Sequence, residues 1–311
     1  MTYLLSPTRS PGSRLTKLLM LLSALTSLTT AASQDNDTAR NLRMAQQLVQ
    51  HSGLPSLVMQ IPKHMAAGIE TAAELARQLP DQQQHSDQQQ HSDQQQHSDQ
   101  QLSSGQPQQS AQLLKQQAAH IFNRETALQQ MANSVARALT ADDMQQVLRW
   151  YQSDTGIRIR NAQLYAASDE GFAEMMSGIN TLLERPDLLA LAATLDKPLG
   201  LVEFMVDLQE LEQFAKHSSY AALSGQPFAQ PAFRQRMKKQ RHHMVFNGEN
   251  LVSMSLAFAM RDIRASDIAA YEHFLQQPTT QLYLKAAMHG LANARQAQTQ
   301  QWLKALALNS E

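Results

Sequence analysis

Apolar residues recur at helical spacing along nearly the whole chain, and that periodicity restricts the fold more than any other feature. Met144, Val147, Leu148 and Tyr151 fall at i, i+3, i+4 and i+7, so they share one stripe of a helix. Ile268, Tyr271 and Leu275 repeat the stripe, with Glu272 in the gap. No segment alternates convincingly as a strand would. Helices are expected over residues 37–51, from Pro62 toward Leu79, and over 111–138, 169–183, 188–195, 201–215, 232–246, 250–262 and 279–308. Pro, Gly, Ser or Asp marks most of these boundaries. The expected fold class is all-α, a helical bundle built from two related halves with a disordered Gln/His/Ser/Asp-rich insert.

Composition agrees with that reading and removes several functions. Only 5% of the residues are aromatic against 42% apolar overall, so the core must come from Leu, Ala, Met, Ile and Val, a palette that favours helices. The chain has no cysteine, which excludes disulfides, thiolate metal sites, thiol catalysis and a lipid-anchored cysteine. Lys and Arg number 26 against 27 Asp and Glu, too even a balance for a nucleic-acid coat, and no nucleic-acid partner is expected.

Residues 1–33 read as an address. Arg9, Arg14 and Lys17 stand without an acid, an apolar run follows from Leu18 to Leu28, and small residues close the segment from Thr29 to Ser33. This is the order of a secretory signal peptide, with a cut expected near Ala32 or Ser33. The apolar run is short for a membrane span and no later stretch reaches the roughly 18 apolar residues a span needs. The expected product is exported, periplasmic or secreted, without a transmembrane span. Removing three cations moves its formal charge from −1 to −4.

The hexad Gln-Gln-Gln-His-Ser-Asp occurs three times over residues 82–99, and a Ser-Ser-Gly-Gln-Pro stretch follows it. Leu102 is the one apolar residue there, so residues 81–108 are expected to form a disordered insert with too little to bury. His85, His91 and His97 recur every six residues, which places neighbours about 240° apart on a helix. Only a flexible wrap could gather them on a cation, and an inert spacer is the plainer reading.

Internal similarity at an offset of 124 residues suggests a duplication. Leu139-Thr-Ala-Asp-Asp-Met144 corresponds to Ile263-Arg-Ala-Ser-Asp-Ile268, and Val147, Trp150, Tyr151 and Gln152 correspond to Tyr271, Phe274, Leu275 and Gln276. A weaker match, residues 44–48 to 189–193, has an offset of 145, and the difference of 21 approximates the length of the insert. Residues 34–185 then form the first half, interrupted by the insert, and 186–311 the second. Thr140 with Asp143 makes a capping-box-like helix start, whereas the second copy has Arg264 there and its helix is expected to begin near Ser266. Trp150 and Tyr151 close one helix, a Ser-Asp-Thr-Gly turn reverses the chain, and the aromatic pair, with Phe274 as the counterpart of Trp150, is read as a buried wedge between helices.

The run from Leu139 to Arg158 resembles the secreted bacterial domain-of-unknown-function family 2059, in two degenerate copies. Thr140, Asp143, Trp150, Tyr151, Ser153, Gly156 and Arg158 match its pattern of acidic helix start, aromatic pair, Ser-Pro-x-Gly and basic residue. Asp154 departs from the proline; the second copy keeps Pro278 but has Thr280 at the glycine position. The resemblance implies an all-helical exported protein and carries no agreed activity, cofactor or site residue with it.

Chemistry-bearing signatures are few. No Gly-rich phosphate loop, Gly-x-Ser-x-Gly elbow, His-Glu-x-x-His or Glu-x-x-His appears. Glu203, Asp207 and Glu210 fall at i, i+4 and i+7, either a solvated stripe or a cation site. The chain holds 15 Met and 11 His, a composition compatible with copper capture, and Met237, His242, His243 and Met244 are its densest cluster; core filler explains the methionines as well. Arg234, Arg236, Lys238, Lys239 and Arg241 place five cations in eight residues of an otherwise acidic chain, with Phe233, Met237 and Met244 spaced to dock one side of that helix. These five are the candidate binding residues. The leading expectation is a non-enzymatic envelope protein that binds another envelope protein or an anionic lipid surface, with no cofactor. The alternatives are an envelope hydrolase with a site between the halves and a periplasmic copper-binding protein.

Overall fold

A computed structural model describes residues 37–87 and 106–308, and within them the chain is α-helical with no strand. The helices are α1 (37–51), α2 (Leu54–Val58), α3 (Gln60–Asp87), α4 (Gln106–Ile121), α5 (Arg124–Ala138), α6 (Ala141–Gln152), α7 (Asp154–Ala166) and α8 (Asp169–Ser177). They continue with α9 (Ile179–Leu183), α10 (Pro186–Leu199), α11 (Leu201–Leu223), α12 (Gln230–Met260), α13 (Ala265–Gln276) and α14 (Pro278–Leu308). The all-α expectation therefore stands. The signal-peptide reading falls on residues outside the described ones.

Several boundaries differ from the sequence reading for local reasons. The helix expected over 111–138 is two, because Asn123 adopts extended backbone and its side chain accepts a hydrogen bond from Thr126 N at 2.9 Å, starting α5 afresh. The helix expected over 169–183 breaks at Gly178. Conversely, the two helices expected over 232–246 and 250–262 are one, α12, which runs through Asn247 and Gly248 because α10 and α11 both pack along it. Both ends of the segment expected to be disordered are helical: α3 continues through Asp87, taking in the first hexad, and α4 starts at Gln106. The other two hexads lie outside the described residues.

Two long helix pairings organise the bundle, α3 along α11 and α5 along α14, each joining a helix from before residue 185 to one from after it. Glycine permits the close approach in both. A Cβ on Gly68 would lie 2.8 Å from Ala215 Cβ and overlap the Glu212 carbonyl, and one on Gly290 would lie 2.7 Å from Met131 Cα. The core is made of the expected residue types: Leu48, Ile61, Met65, Ile69, Met131, Met144 and Leu195 are fully buried. Trp302, also fully buried, donates its indole N–H to Ser218 Oγ at 3.0 Å.

The helix starts at α6 and α13 diverge as anticipated. Thr140 and Asp143 form the full capping box, with Asp143 N donating to Thr140 Oγ1 and Thr140 N to the Asp143 carboxylate, both at 3.2 Å. Helix α13 has no side-chain cap and begins at Ala265, one residue before the expected start.

Candidate functional site

Sharp corners of a common build place α6, α7 and α8. Ser153 Oγ donates to the Trp150 carbonyl at 2.6 Å and accepts from Gly156 N at 3.1 Å; Ser168 Oγ does the same with the Tyr165 carbonyl at 2.7 Å and Gly171 N at 3.0 Å. In each corner a Cβ on the glycine would overlap the aromatic residue's carbonyl oxygen. The spacing Ser-Asp-x-Gly three residues after an aromatic, present at 150–156 and again at 165–171, was the signal available in the sequence; only its first instance was read there.

The aromatic residues of the two similar runs meet. Trp150 stacks on Phe274 with ring centroids 3.9 Å apart and planes 6° from parallel, and Tyr151 meets Phe274 edge-on at 5.4 Å. Phe274 is buried as expected, but Trp150 is only half-buried, so it is not the enclosed wedge anticipated. The reason is that Trp150 also forms part of the wall of a cavity. Beside it, Asp267 at the start of α13 accepts hydrogen bonds from Thr155 (2.9 Å), Arg158 (3.1 Å) and Arg264 (2.9 Å). Those partners, Arg158 foremost, hold its carboxyl down to about 2. The basic residue that closes the family-like run thus ties α7 to α13. Pro278 is the first residue of α14, where its missing N–H costs nothing.

The cavity, about 410 Å³, lies chiefly among α2, α3, α7, α11, α12 and α13, and residues of α6, α8, α10 and α14 complete its wall. Its wall is chiefly apolar, with Leu54, Ile159, Phe204, Leu208, Val252 and Leu256 among its residues. Polar groups are few. Gln163 Nε2 donates to Tyr271 Oη at 3.0 Å, and burial pushes that hydroxyl up to about 12, so it stays neutral. His64 Nδ1 sits 2.7 Å from a Glu212 carboxylate oxygen. Arg160 is half-buried, its stem lying over Gly53, whose φ of 81° turns α1 into α2. Volume and lining are those of a small-molecule site. Sequence reading missed it, because its wall residues are scattered from Ser52 to Leu284 and look like ordinary core.

The basic run lies on the N-terminal part of α12. Phe233 and Met244 are half-buried and Met237 is buried, docking that side on the bundle, while Arg234, Arg236, Lys238 and Lys239 are exposed. The five cations do not act as one group. Arg241 is half-buried and bridges Glu203 and Glu210 of α11, the latter at 2.8 Å. Arg236 approaches His217 Nε2 at 3.2 Å, and burial, then the charge of Arg236, holds His217 below the usual histidine range. Arg234, Lys238 and Lys239 are in no ion pair among the described residues. Lys239 and Phe246 are seven residues apart, within about 20° on the helix surface, and Phe246 is 59% exposed.

The two clusters weighed for a cation are held differently. Arg241 occupies Glu203 and Glu210, and Arg295 pairs with Asp207 at 2.7 Å, so the acidic stripe is neutralised by arginines. Met237 turns into the bundle while His242 and His243 face outward. Among the described residues no group of three or more His, Asp and Glu side chains is placed to hold a metal ion, and no helix is long and apolar enough to cross a membrane.

No curated protein and no solved structure matches the chain. A family match takes in the run from Thr140 to Arg158, and the similar run at 263–286 lies outside its range. Residues 125–180, from α5 to the start of α9, match the model of the bacterial family described as "Uncharacterized protein conserved in bacteria (DUF2059)".

Proposed function

We propose that this is an exported, non-enzymatic helical protein of two related halves that binds an anionic lipid surface through the outer face of α12. The observation that carries the reading is the division of labour on that helix. Arg236 and Arg241 serve the fold, whereas Arg234, Lys238 and Lys239 are exposed cations without an acidic partner among the described residues. Phe246 shares the face of Lys239 and is exposed, the combination of cation and aromatic that suits a headgroup boundary. Each such cation near an anionic surface contributes about 1 kcal/mol, so three give a salt-sensitive attachment of about 3 kcal/mol, to which a buried ring adds. The N-terminal order of cations, apolar run and small residues supports delivery to such a surface. The face-to-face stacking of Trp150 on Phe274, equivalent residues of the similar runs, supports the duplication.

Cosedimentation with phosphatidylglycerol-containing vesicles tests the function. Binding is expected to fall as salt rises, to fail with phosphatidylcholine alone, and to be lost in an Arg234→Glu/Lys238→Glu/Lys239→Glu variant of unchanged thermal stability. Equal partitioning of both proteins overturns it. So does in-cell crosslinking from Lys239 that captures one envelope protein while vesicles are ignored.

A further inference from the structure

We propose that the cavity among α2, α3, α7, α11, α12 and α13 is a binding site for a long-chain carboxylic acid, with the chain among the apolar walls and the carboxylate on Arg160. Nothing in this inference depends on the basic face of α12.

Three observations carry it. The first is size. A cavity of about 150 Å³ holds one benzene ring, so a space of 410 Å³ holds roughly sixteen non-hydrogen atoms on the same scale. That is a single acyl chain of middle length, and too little for a two-chain lipid.

The second is lining. Leu54, Ile159, Phe204, Leu208 and Leu256 offer dispersion contacts without directional demands, which suits a flexible hydrocarbon. The polar atoms of the wall are largely committed: Tyr271 Oη accepts from Gln163, His64 pairs with Glu212, and Ser56 Oγ donates to the Gly53 carbonyl at 2.6 Å. A sugar or peptide would therefore find few free partners.

The third is charge. Arg160 is half-buried in the cavity wall, and its Nη1 donates to the His51 carbonyl at 2.9 Å, which fixes the guanidinium beside the α1–α2 turn. A guanidinium has five N–H donors, and no carboxylate of the described residues pairs with this one. Asp169, the acid in the wall, has its own cation, Lys63 at 3.9 Å. A carboxylate head is the complement Arg160 lacks.

The test titrates the full exported chain, stripped of lipid and free of vesicles, with tetradecanoic acid and with tetradecanol. One acid per chain is expected to bind saturably. Arg160→Gln is expected to weaken the acid roughly tenfold, the worth of one charge-assisted hydrogen bond, and to leave the alcohol unchanged. Ser255→Phe, which fills the cavity from α12, is expected to abolish both at unchanged thermal stability; should that variant misfold, the acid–alcohol difference in Arg160→Gln decides alone. Absence of saturable acid binding overturns the proposal. So do equal losses of acid and alcohol in Arg160→Gln, undiminished binding by a folded Ser255→Phe, or uptake of lysophosphatidylglycerol in preference to the acid. Vesicle binding by α12 can fail while this titration succeeds, and the reverse.

Discussion

Replacing Phe274 by alanine removes a ring that is 5% exposed, stacked on Trp150 at 3.9 Å and met edge-on by Tyr151 at 5.4 Å. Burial at that level sets the transfer and cavity cost of Phe→Ala at about 3–5 kcal/mol. Trp150 is half-buried, so its removal costs less, about 2 kcal/mol. The stack itself contributes about 1 kcal/mol beyond buried area, and it is lost in either single variant. The double variant should therefore be about 1 kcal/mol more stable than the sum of the singles predicts. Urea unfolding of the four proteins reads all three quantities, and the thermal midpoint should fall by about 2 °C per kcal/mol in a chain of this size. A Phe274→Ala loss under about 1 kcal/mol would show that the ring is not packed as described. Strict additivity would show that the two runs do not meet through these rings.

Glycine substitutions should split by sign. Gly68→Ala and Gly290→Ala force a Cβ into a neighbouring helix and should each destabilise by about 1–3 kcal/mol, whereas Gly248→Ala meets nothing closer than Val202 Cγ1 at 3.6 Å and should stabilise α12 by about 0.5–1 kcal/mol; thermal melts of the three variants check this. The Asp267 carboxyl is lowered from 3.8 to about 2 on folding. Its contribution is therefore complete above pH 4 and lost as pH falls through about 2, so the stability gap between the protein and Asp267→Asn should close over that window in melts run from pH 5 downward. Asp196 accepts hydrogen bonds from Leu201 N at 2.8 Å and Val202 N at 3.2 Å, capping α11 from the end of α10; Asp196→Ala should cost about 1 kcal/mol in chemical unfolding.

Local rules already present in the sequence determined much of this protein. The stripe Met144, Val147, Leu148, Tyr151 is buried on one side of α6, the Thr140–Asp143 box starts that helix, and Phe233, Met237 and Met244 dock α12. Each follows from spacing along a single helix, where side chains three, four and seven residues apart must share a face. Short-range signals failed where packing opposed them. Asn247 and Gly248 read as a break, yet α12 passes through them, since contacts with α10 and α11 outweigh about 1 kcal/mol of lost helix propensity. What only the tertiary structure decided is which distant groups meet. Arg241 and Arg295 neutralise an acidic stripe that in isolation resembled a cation site, Trp150 finds Phe274, and the crossing helices leave a 410 Å³ space with Arg160 in its wall. Those outcomes depend on how helices cross, and a crossing is set by the shape of two faces together, including the absence of a side chain at Gly68 and Gly290, rather than by the pattern along either one.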